Sequence, residues 1–262
     1  MHGLTPLLPP LFWSRVLTLY WYHVTSRINW NDGFAGGSTV SGNLVFNMVR
    51  ETGDHGPYNS WDRQPYLTYS GNRDGYNASD KMGYGAEVSI LKRHDVQTKN
   101  FLINGYNGVW TLDHDDGSQY FNDTKNFMVF GGCKNYLGNH KSCDHNVIVH
   151  PGISARATGG RRCQTDDNKV FQNQFHDNNH CVTQDGVFYS MGISKCDAAD
   201  IDPHVYETWN NTFYSPGANF SNGPCSSLKQ WQAAGQDRGS TVNPMPSVSQ
   251  IVAMGKAVLS EE

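Results

Sequence analysis

The sequence predicts an all-β protein, built as a parallel β-helix with long loops between short strands. Glycine makes up 27 of the 262 residues and aromatic residues reach 12%, a composition that suits turns and stacked strands better than helices. Short apolar runs recur along the chain, and most of them begin with an asparagine. Their spacing matches the roughly 20 to 45 residues per unit of stacked repeats. These observations favour a single elongated β domain.

The repeated unit is an asparagine followed by three or four mainly apolar residues. It occurs at 43–47, 100–104, 126–130, 146–150 and 211–214, with a weaker related run at 170–173. The starts at 43, 100, 126 and 146 are separated by 57, 26 and 20 residues, and the longest gap has room for one coil and an inserted loop. Stacked asparagines hydrogen-bond along a ladder of superposed turns, and strands buried against a core read as short apolar runs. We therefore expect these runs to be stacked, parallel strands.

The N-terminal residues 1–26 differ from this pattern. Prolines interrupt their first apolar stretch, and the second is shorter than the roughly 20 residues of a membrane span. The prolines also interrupt the apolar core that a secretory signal requires. We expect no membrane span here, and either a truncated or misassigned N-terminus or a short cap over the first coil.

Two short helices are expected at the C-terminus. Residues 226–234 begin with serines suited to capping and are followed by Gly235, which suits a helix end. A second helix over 246–259 has an apolar face, and we expect it to plug the open end of the coils. The residues of that face are Val248, Ile251, Val252 and Leu259. The expected units are an atypical N-terminal segment at 1–26, the β-helix at 27–225 and a C-terminal helical cap at 226–262.

Charge and cysteine usage restrict the partners and the compartment. The net charge of −4 is dispersed, with no Lys/Arg block to follow a phosphate backbone, so nucleic acid is not an expected partner. All six cysteines lie in the second half without a CxxC pair, which favours disulfides over a metal or redox centre. We favour Cys133–Cys143 and Cys163–Cys181, because short separations in neighbouring loops close easily.

Four glycosylation sequons add to the evidence on compartment. They stand at Asn77, Asn122, Asn210 and Asn219 and fit a secreted glycoprotein, although such triplets also arise by chance in an asparagine-rich chain. Disulfides and sequons together predict an extracellular or cell-surface protein, which we expect to be a monomer.

The stretch 50–63 has the composition of a functional loop. It lacks the alternation of a strand and the stripe of a helix, and two glycines and a proline let it turn sharply. Its candidate catalytic residues are Glu51, Asp54, His55 and Asp62, and its candidate substrate-binding residues are Arg50, Tyr58, Trp61 and Arg63. The alternative is a surface turn held by Arg50–Glu51 and Asp62–Arg63 salt bridges.

A second acidic stretch, 110–118, follows one or two coils later. It adds Asp113 and Asp116 as candidate catalytic residues and Trp110 as a candidate substrate-binding residue. Residues at the same phase of adjacent coils lie about 4.8 Å apart, so we expect the two stretches to share one groove. Glycosidic cleavage needs an acid and a second carboxylate, about 5 to 5.5 Å apart for retention and about 6.5 to 9.5 Å for inversion. His55 and His114 also lie beside aspartates, an arrangement that suits an acid catalyst near neutral pH.

Four features of the chain occur together: the asparagine-initiated strands, the turn at 31–34, the 50–63 stretch and the tail Leu228-x-x-Trp231-Gln232-x-x-Gly235-x-Asp237-x-x-Ser240. With these features the chain resembles secreted right-handed parallel β-helix proteins of the pectate-lyase-like superfamily, over about residues 27–259. It implies a right-handed helix, sugar polymers as the substrate class, and a site on the outer face of the coils, in a groove floored by one sheet and walled by loops. The superfamily includes hydrolases, lyases, epimerases and binding proteins, so the resemblance does not specify the reaction.

Three functions follow from these patterns. The leading hypothesis is a glycoside hydrolase that uses paired carboxylates and no cofactor. The second is a polysaccharide lyase or uronan epimerase, which would hold Ca²⁺ at Asp113, Asp115 and Asp116 and use Arg63, Lys92 or Arg93 as the base. The third is a non-catalytic carbohydrate-binding or surface protein, whose acidic runs are plain turns.

Overall fold

The fold is described from a computed structural model. It covers residues 24–25, 37–46, 56–61, 94–104, 110–115, 120–135, 140–150, 164–166, 174–191, 195–198 and 206–260. Within these ranges the regular structure is mostly β-strand, and every pairing between named strands is parallel. The predicted all-β class is confirmed in this part of the chain.

The strands are numbered in chain order and form three sheets. Sheet A contains β1 Val24–Thr25, β4 Tyr58–Trp61, β7 Leu112–Asp115, β10 Cys133–Asn135, β13 Gln164–Asp166 and β16 Tyr189–Met191. Sheet B contains β2 Thr39–Ser41, β5 Asp95–Thr98, β8 Phe121–Thr124, β11 Lys141–Asp144, β14 Gln174–Asp177 and β17 Tyr206–Trp209. Sheet C contains β3 Leu44–Phe46, β6 Phe101–Ile103, β9 Phe127–Val129, β12 Val147–His150, β15 His180–Thr183, β18 Thr212–Ser215 and β19 Thr241–Pro244. Through β18, each strand pairs with the third strand before or after it in the chain.

Asparagines hold the corners between sheets B and C, as the sequence predicts. Each corner is one residue with positive φ, such as Lys125 at 55°, followed by an asparagine that starts the next strand. The asparagine amide nitrogens donate to the next asparagine oxygen at 3.0 Å for Asn43 to Asn100, 3.1 Å for Asn100 to Asn126 and 3.2 Å for Asn126 to Asn146. The ladder continues through Asn179 and Asn211 and reaches Ser240. A side chain that bridges two turns satisfies corner donors and acceptors that a buried apolar residue would leave unpaired.

Every strand that we predicted from an opening asparagine lies in sheet C, at β3, β6, β9, β12 and β18. The weaker run at 170–173 lies outside the described residues. The strand β15, which opens after Asn179, has no counterpart among the predicted runs, because its histidine and cysteine do not read as an apolar segment.

One core fills the space between the three sheets. Side chains from all of them form a single buried cluster, and the opposite face of each strand points away from it. Its largest fully buried members are Trp231, Phe121, Phe188, Phe213, Leu112, Met128 and Ile148.

The first C-terminal helix is confirmed as α1, Leu228–Ala233. Ser227 caps it by accepting from the Gln230 backbone nitrogen, and Gly235 follows the helix with φ +98°, as a helix end requires. Its one buried residue, Trp231, packs into the core with ring centroids 5.6 Å from Tyr189 of the last strand of sheet A. This helix therefore covers the core beside β16.

The second C-terminal helix, α2 Val248–Ser260, was expected to plug the open end, and that placement is wrong. The helix packs across the outer face of sheet C and contacts β9 and β12. A Cβ on Gly255 would lie 2.4 Å from the Phe127 ring, which shows how closely the helix approaches the sheet. The physical reason is that β12 is apolar on both faces, so its outer face also needs an apolar cover. Among the described residues, no helix is long and apolar enough to cross a membrane.

Removing residues 246–262 is expected to destabilise the protein and to raise its binding of a hydrophobic dye. The deletion would expose the outer cluster of sheet C, in which Val258 and its neighbours contact Phe127, Val147, Val149 and Val182. Burial of each aliphatic side chain contributes about 1.5 to 3 kcal/mol, so we expect the urea midpoint to fall clearly. Exchanging Val248 and Val252 for serine is the control, because these side chains are 77% and 42% exposed. A truncated protein that melts like the intact one would show that α2 covers nothing of importance.

Two disulfides are described. Cys133–Cys143 is confirmed, and Cys196 pairs with Cys225. Cys181 is also disulfide-bonded; Cys163 lies outside the described residues, so the predicted Cys163–Cys181 pair stays a prediction. These bonds fit an oxidising compartment.

Candidate functional site

The two acidic stretches singled out in the sequence become neighbouring strands of sheet A. The strand β4 belongs to the 50–63 stretch and β7 to the 110–118 stretch, and the two pair directly, with Asn59 opposite Asp113. On the other side of β7, Lys134 of β10 is opposite Asp113. Leu112 and Cys133 point into the core, so the alternation of a strand places Asp113 and Lys134 on the outer face.

Asp113 lies at the centre of a hydrogen-bonded and ionic row. Its Oδ2 accepts from Asn59 Nδ2 at 2.8 Å, and its Oδ1 lies 3.0 Å from Lys134 Nζ. The side chains of Asp113 and Lys134 are 0% and 6% exposed. In so little water the attraction between the two charges is strong, and the ammonium favours the ionised form of the carboxylate. We call Asn59, Asp113 and Lys134 the charged row.

An aromatic side chain completes this site. Lys134 Nζ lies 3.9 Å from the centroid of a Trp110 ring, a cation–π contact. The indole nitrogen of Trp110 is buried without a hydrogen-bond partner among the described residues. The backbone of Gly56 also packs against Trp110. A Cβ at position 56 would lie 2.6 Å from the Trp110 carbonyl oxygen. The approach of the 50–63 stretch to Trp110 therefore depends on a glycine at this position.

The remaining candidates from the sequence fall into two groups. Tyr58 faces the core, with ring centroids 6.4 Å from Phe121, and for Trp61 and Asp115 the structure describes the strand positions only. Outside the described residues lie Arg50, Glu51, Asp54, His55, Asp62, Arg63, Asp116, Lys92 and Arg93. The shared groove of Asp54 and Asp113 stays a prediction. What the structure adds is the direct pairing of the strands that carry the two stretches.

Directly beneath the charged row, on the core side of the same strands, lies a buried polar chain. Ser60 Oγ is 2.6 Å from His114 Nδ1, and His114 Nε2 is 2.8 Å from Asp123 Oδ2. All three residues are fully buried. The imidazole stacks on Phe121 at 4.2 Å between centroids. The sequence suggested a pairing of His114 with an adjacent aspartate, whereas the partner is Asp123 on a strand of sheet B.

A second group of carboxylates lies on the outer face of sheet B. Asp144 of β11 and Asp177 of β14 are directly opposite each other in register. Asp144 Oδ1 accepts from Thr124 Oγ1 at 2.5 Å and lies 3.0 Å from His145 Nδ1, and Asp177 accepts from Asn178 Nδ2. Burial, and then the charge of Asp144, raise the pKa of Asp177. A like charge directly opposite raises the pKa of one carboxylate of a pair, as in carboxylate pairs that work as acid and base.

Our sequence analysis missed this pair, although the sequence does contain a signal for it. Asp144 and Asp177 each stand two residues before a ladder asparagine, Asn146 and Asn179. Equal offsets from the ladder place two residues at the same phase of adjacent strands. Aligning the repeats on the asparagines would have brought the two carboxylates together.

Replacing Asp177 with asparagine is expected to raise the melting temperature at neutral pH. An aspartate whose pKa is higher in the folded state binds its proton more tightly there, so its ionisation costs stability as pH rises through that pKa. The gain should therefore be present at pH 7 and disappear below the unfolded pKa of about 3.9. Asp144→Asn is the partner control. The double variant should gain less in melting temperature than the two single variants gain together. Equal melting temperatures for Asp177→Asn and the natural protein at pH 7 would contradict the repulsion between Asp144 and Asp177.

Comparison of the chain with protein-family models, with curated proteins and with solved structures finds no match. The class of the protein is defined by its fold and site. It is an all-β protein of parallel sheets that carries a buried charge pair on the outer face of one sheet. In the described part of the chain, no three His, Cys, Asp or Glu side chains come together to hold a metal. Asp116 lies outside that part, so calcium at Asp113, Asp115 and Asp116 stays a prediction.

Proposed function

We propose that the chain is a secreted right-handed parallel β-helix that cleaves a polysaccharide on the outer face of sheet A. The single observation that carries this proposal is the pairing of β4 with β7 in a register that puts Asn59 beside Asp113. It joins the two stretches that hold most of the candidate carboxylates. The every-third-strand pairing and the asparagine ladder support the β-helix, since both arise when a chain coils around one core.

The chemistry that suits this site best is glycoside hydrolysis. Lys134 lies 3.0 Å from Asp113 and favours the ionised carboxylate, so Asp113 takes the role of base or nucleophile. The acid that protonates the leaving oxygen then comes from the adjacent stretch, where Glu51, Asp54 and Asp62 are the candidates. Trp110 beside Lys134 offers an apolar face for the sugar ring.

A lyase is the second candidate, and Lys134 is the observation that favours it. An ammonium on the outer face of the sheet is a group that lyase chemistry uses, either to neutralise a uronate or, after losing its proton, to act as the base. A lysine paired with a carboxylate at 3.0 Å suits uronate binding better than proton removal. The two reactions leave different products and can be separated by experiment.

A screen of the secreted, disulfide-bonded protein against neutral and acidic polysaccharides tests the proposal. New reducing ends without absorbance of an unsaturated uronate indicate the hydrolase, and reducing ends with that absorbance indicate the lyase. Asp113→Asn must abolish whichever signal is found. Binding without any new reducing end, unaffected by Asp113→Asn, would overturn the proposal in favour of a carbohydrate-binding protein.

A further inference from the structure

The strands β4 and β7 are linked by side chains on both of their faces. On the outer face Asn59 donates to Asp113 at 2.8 Å, and on the core face Ser60 contacts His114 at 2.6 Å. The backbone ladder already fixes β4 against β7 within sheet A. These two contacts therefore add local rigidity, but they do not relate sheet A to the other sheets.

The contact between His114 and Asp123 is one of the links from sheet A to sheet B. The described residues also include the Cys133–Cys143 disulfide, which joins β10 to β11, and a 3.5 Å hydrogen bond from Lys141 Nζ to the His114 carbonyl oxygen. His114 Nε2 lies 2.8 Å from Asp123 Oδ2, and Asp123 belongs to β8 of sheet B. The link crosses the core from the strand that carries Asp113 to a strand with which it shares no backbone hydrogen bond. Because Asp113 and His114 are consecutive in β7, a displacement of His114 displaces Asp113 with it.

Burying the contact between His114 and Asp123 costs folding free energy, so its presence needs a reason beyond filling space. Both side chains are 0% exposed, and the second carboxylate oxygen, Asp123 Oδ1, is buried with no hydrogen-bond partner in the described part of the chain. A buried carboxylate that keeps an unsatisfied oxygen costs more than an apolar side chain of similar volume. In some proteins buried polar groups of this kind fix one defined geometry at a cost in stability.

We propose that His114 is a positioning residue for Asp113, and that its bond across the core to Asp123 holds Asp113 between Asn59 and Lys134. The inference extends the proposed function, because it assigns a support to the group that would react. The position of Asp113 between Asn59 and Lys134 can be measured whether or not a substrate is found. The Asn59 carboxamide protons report that geometry directly, since one of them is bonded to Asp113.

Two substitutions of His114 separate its two contacts. In His114→Gln the terminal amide reaches about as far as Nε2, which keeps a donor for Asp123 and loses the Ser60 contact. In His114→Asn the shorter amide lies near the position of Nδ1, which keeps Ser60 and loses Asp123. Ile148→Val is the control for stability alone, because Ile148 is 1% exposed in sheet C and the change removes one buried methylene group and so lowers stability.

The test measures the NMR signals of the Asn59 side-chain amide in each variant, together with kcat/KM on any polysaccharide that the natural protein cleaves. We expect His114→Asn to shift or lose the Asn59 signals and to lower kcat/KM about 10- to 100-fold, the usual cost of misplacing a reacting group by about 1 Å. His114→Gln and Ile148→Val should leave the signals in place. If His114→Asn does not fold, Asp123→Val removes the same link and should give the same loss of signals.

Two outcomes would overturn the proposal. One is a His114→Asn or Asp123→Val variant that melts earlier but keeps the Asn59 signals unchanged. The other is loss of the signals in His114→Gln as well, which would assign the effect to packing and not to the link with Asp123. If the signals respond as expected while the natural protein cleaves no polysaccharide, the positioning role stands and the proposed function fails. The two failures are therefore distinguishable.

Discussion

Replacing Asp113 with asparagine is expected to lower kcat/KM for polysaccharide cleavage by about 10² to 10⁴-fold, the usual contribution of a positioned acid or base. Asparagine keeps the shape of the side chain and a hydrogen-bond acceptor for Asn59, whose donation to Asp113 is 2.8 Å long. It removes the negative charge that acts as base or nucleophile. The measurement is the rate of new reducing ends at several substrate concentrations.

The same substitution is also expected to destabilise the protein. Repulsion among the carboxylates of the two acidic stretches would by itself predict that Asp113→Asn leaves stability unchanged or raises it. In the structure Asp113 lies 3.0 Å from the Lys134 ammonium, in a site with almost no solvent exposure. Removing one partner of a buried ion pair typically costs about 3 to 5 kcal/mol, because the other charge is left uncompensated. We expect the urea midpoint to fall accordingly.

The double variant Asp113→Asn with Lys134→Met separates the two effects. Lys134→Met removes the ammonium that loses its Asp113 partner in the single variant, so stability should recover most of what that variant lost. Activity should stay abolished, because the carboxylate is still absent. An Asp113→Asn protein that keeps full activity would exclude Asp113 from the chemistry, and a double variant that regains activity would assign the loss to misfolding.

Much of the fold could be predicted because the asparagine ladder imposes a local pattern. At the corners between sheets B and C a residue with positive φ is followed by a side chain that bridges two turns, and asparagine does this at Asn100, Asn126 and Asn146. The ladder also holds at Asn179, but the strand after it was not predicted, because it begins with His180 and Cys181 and does not read as an apolar run. That strand is buried by its position in sheet C and carries too little hydrophobic character to be found without aligning the ladder.

Only the part of the site that depends on the pairing of neighbouring strands could be predicted from the sequence. Equal phase in adjacent coils was enough to bring the stretch of β4 beside Asp113. The contact from His114 to Asp123 joins two different sheets across the core, and no periodicity within the sequence encodes which side chains meet there. The position of α2 was missed for a related reason, since an apolar outer face of sheet C depends on which strands stack beside β12.

The second large effect is expected at Asp237, which lies fully buried beneath α1. Its Oδ2 accepts from Tyr189 Oη and Trp231 Nε1, both at 2.6 Å, and its Oδ1 accepts from Asn211 Nδ2 at 2.9 Å and Ser240 Oγ at 2.7 Å. Burial raises the pKa of Asp237, and these hydrogen bonds act in the opposite direction. One carboxylate thus joins the tail to β16 and to the end of the asparagine ladder.

Asp237→Asn is therefore expected to cost about 3 to 5 kcal/mol of unfolding free energy, because two donors point at each carboxylate oxygen and the amide NH₂ would face one of these pairs in either orientation. Asparagine tolerates the positive φ of 49° at this position, so backbone strain does not explain the loss. Tyr189→Phe removes one of the donors at 2.6 Å and is the matched control: combined with Asp237→Asn, it should cost clearly less than the sum of the two single changes. Urea unfolding at pH 7 of the four proteins in this cycle gives the coupling. Additive losses, or an Asp237→Asn protein as stable as the natural one, would show that the carboxylate does not hold the tail against the core.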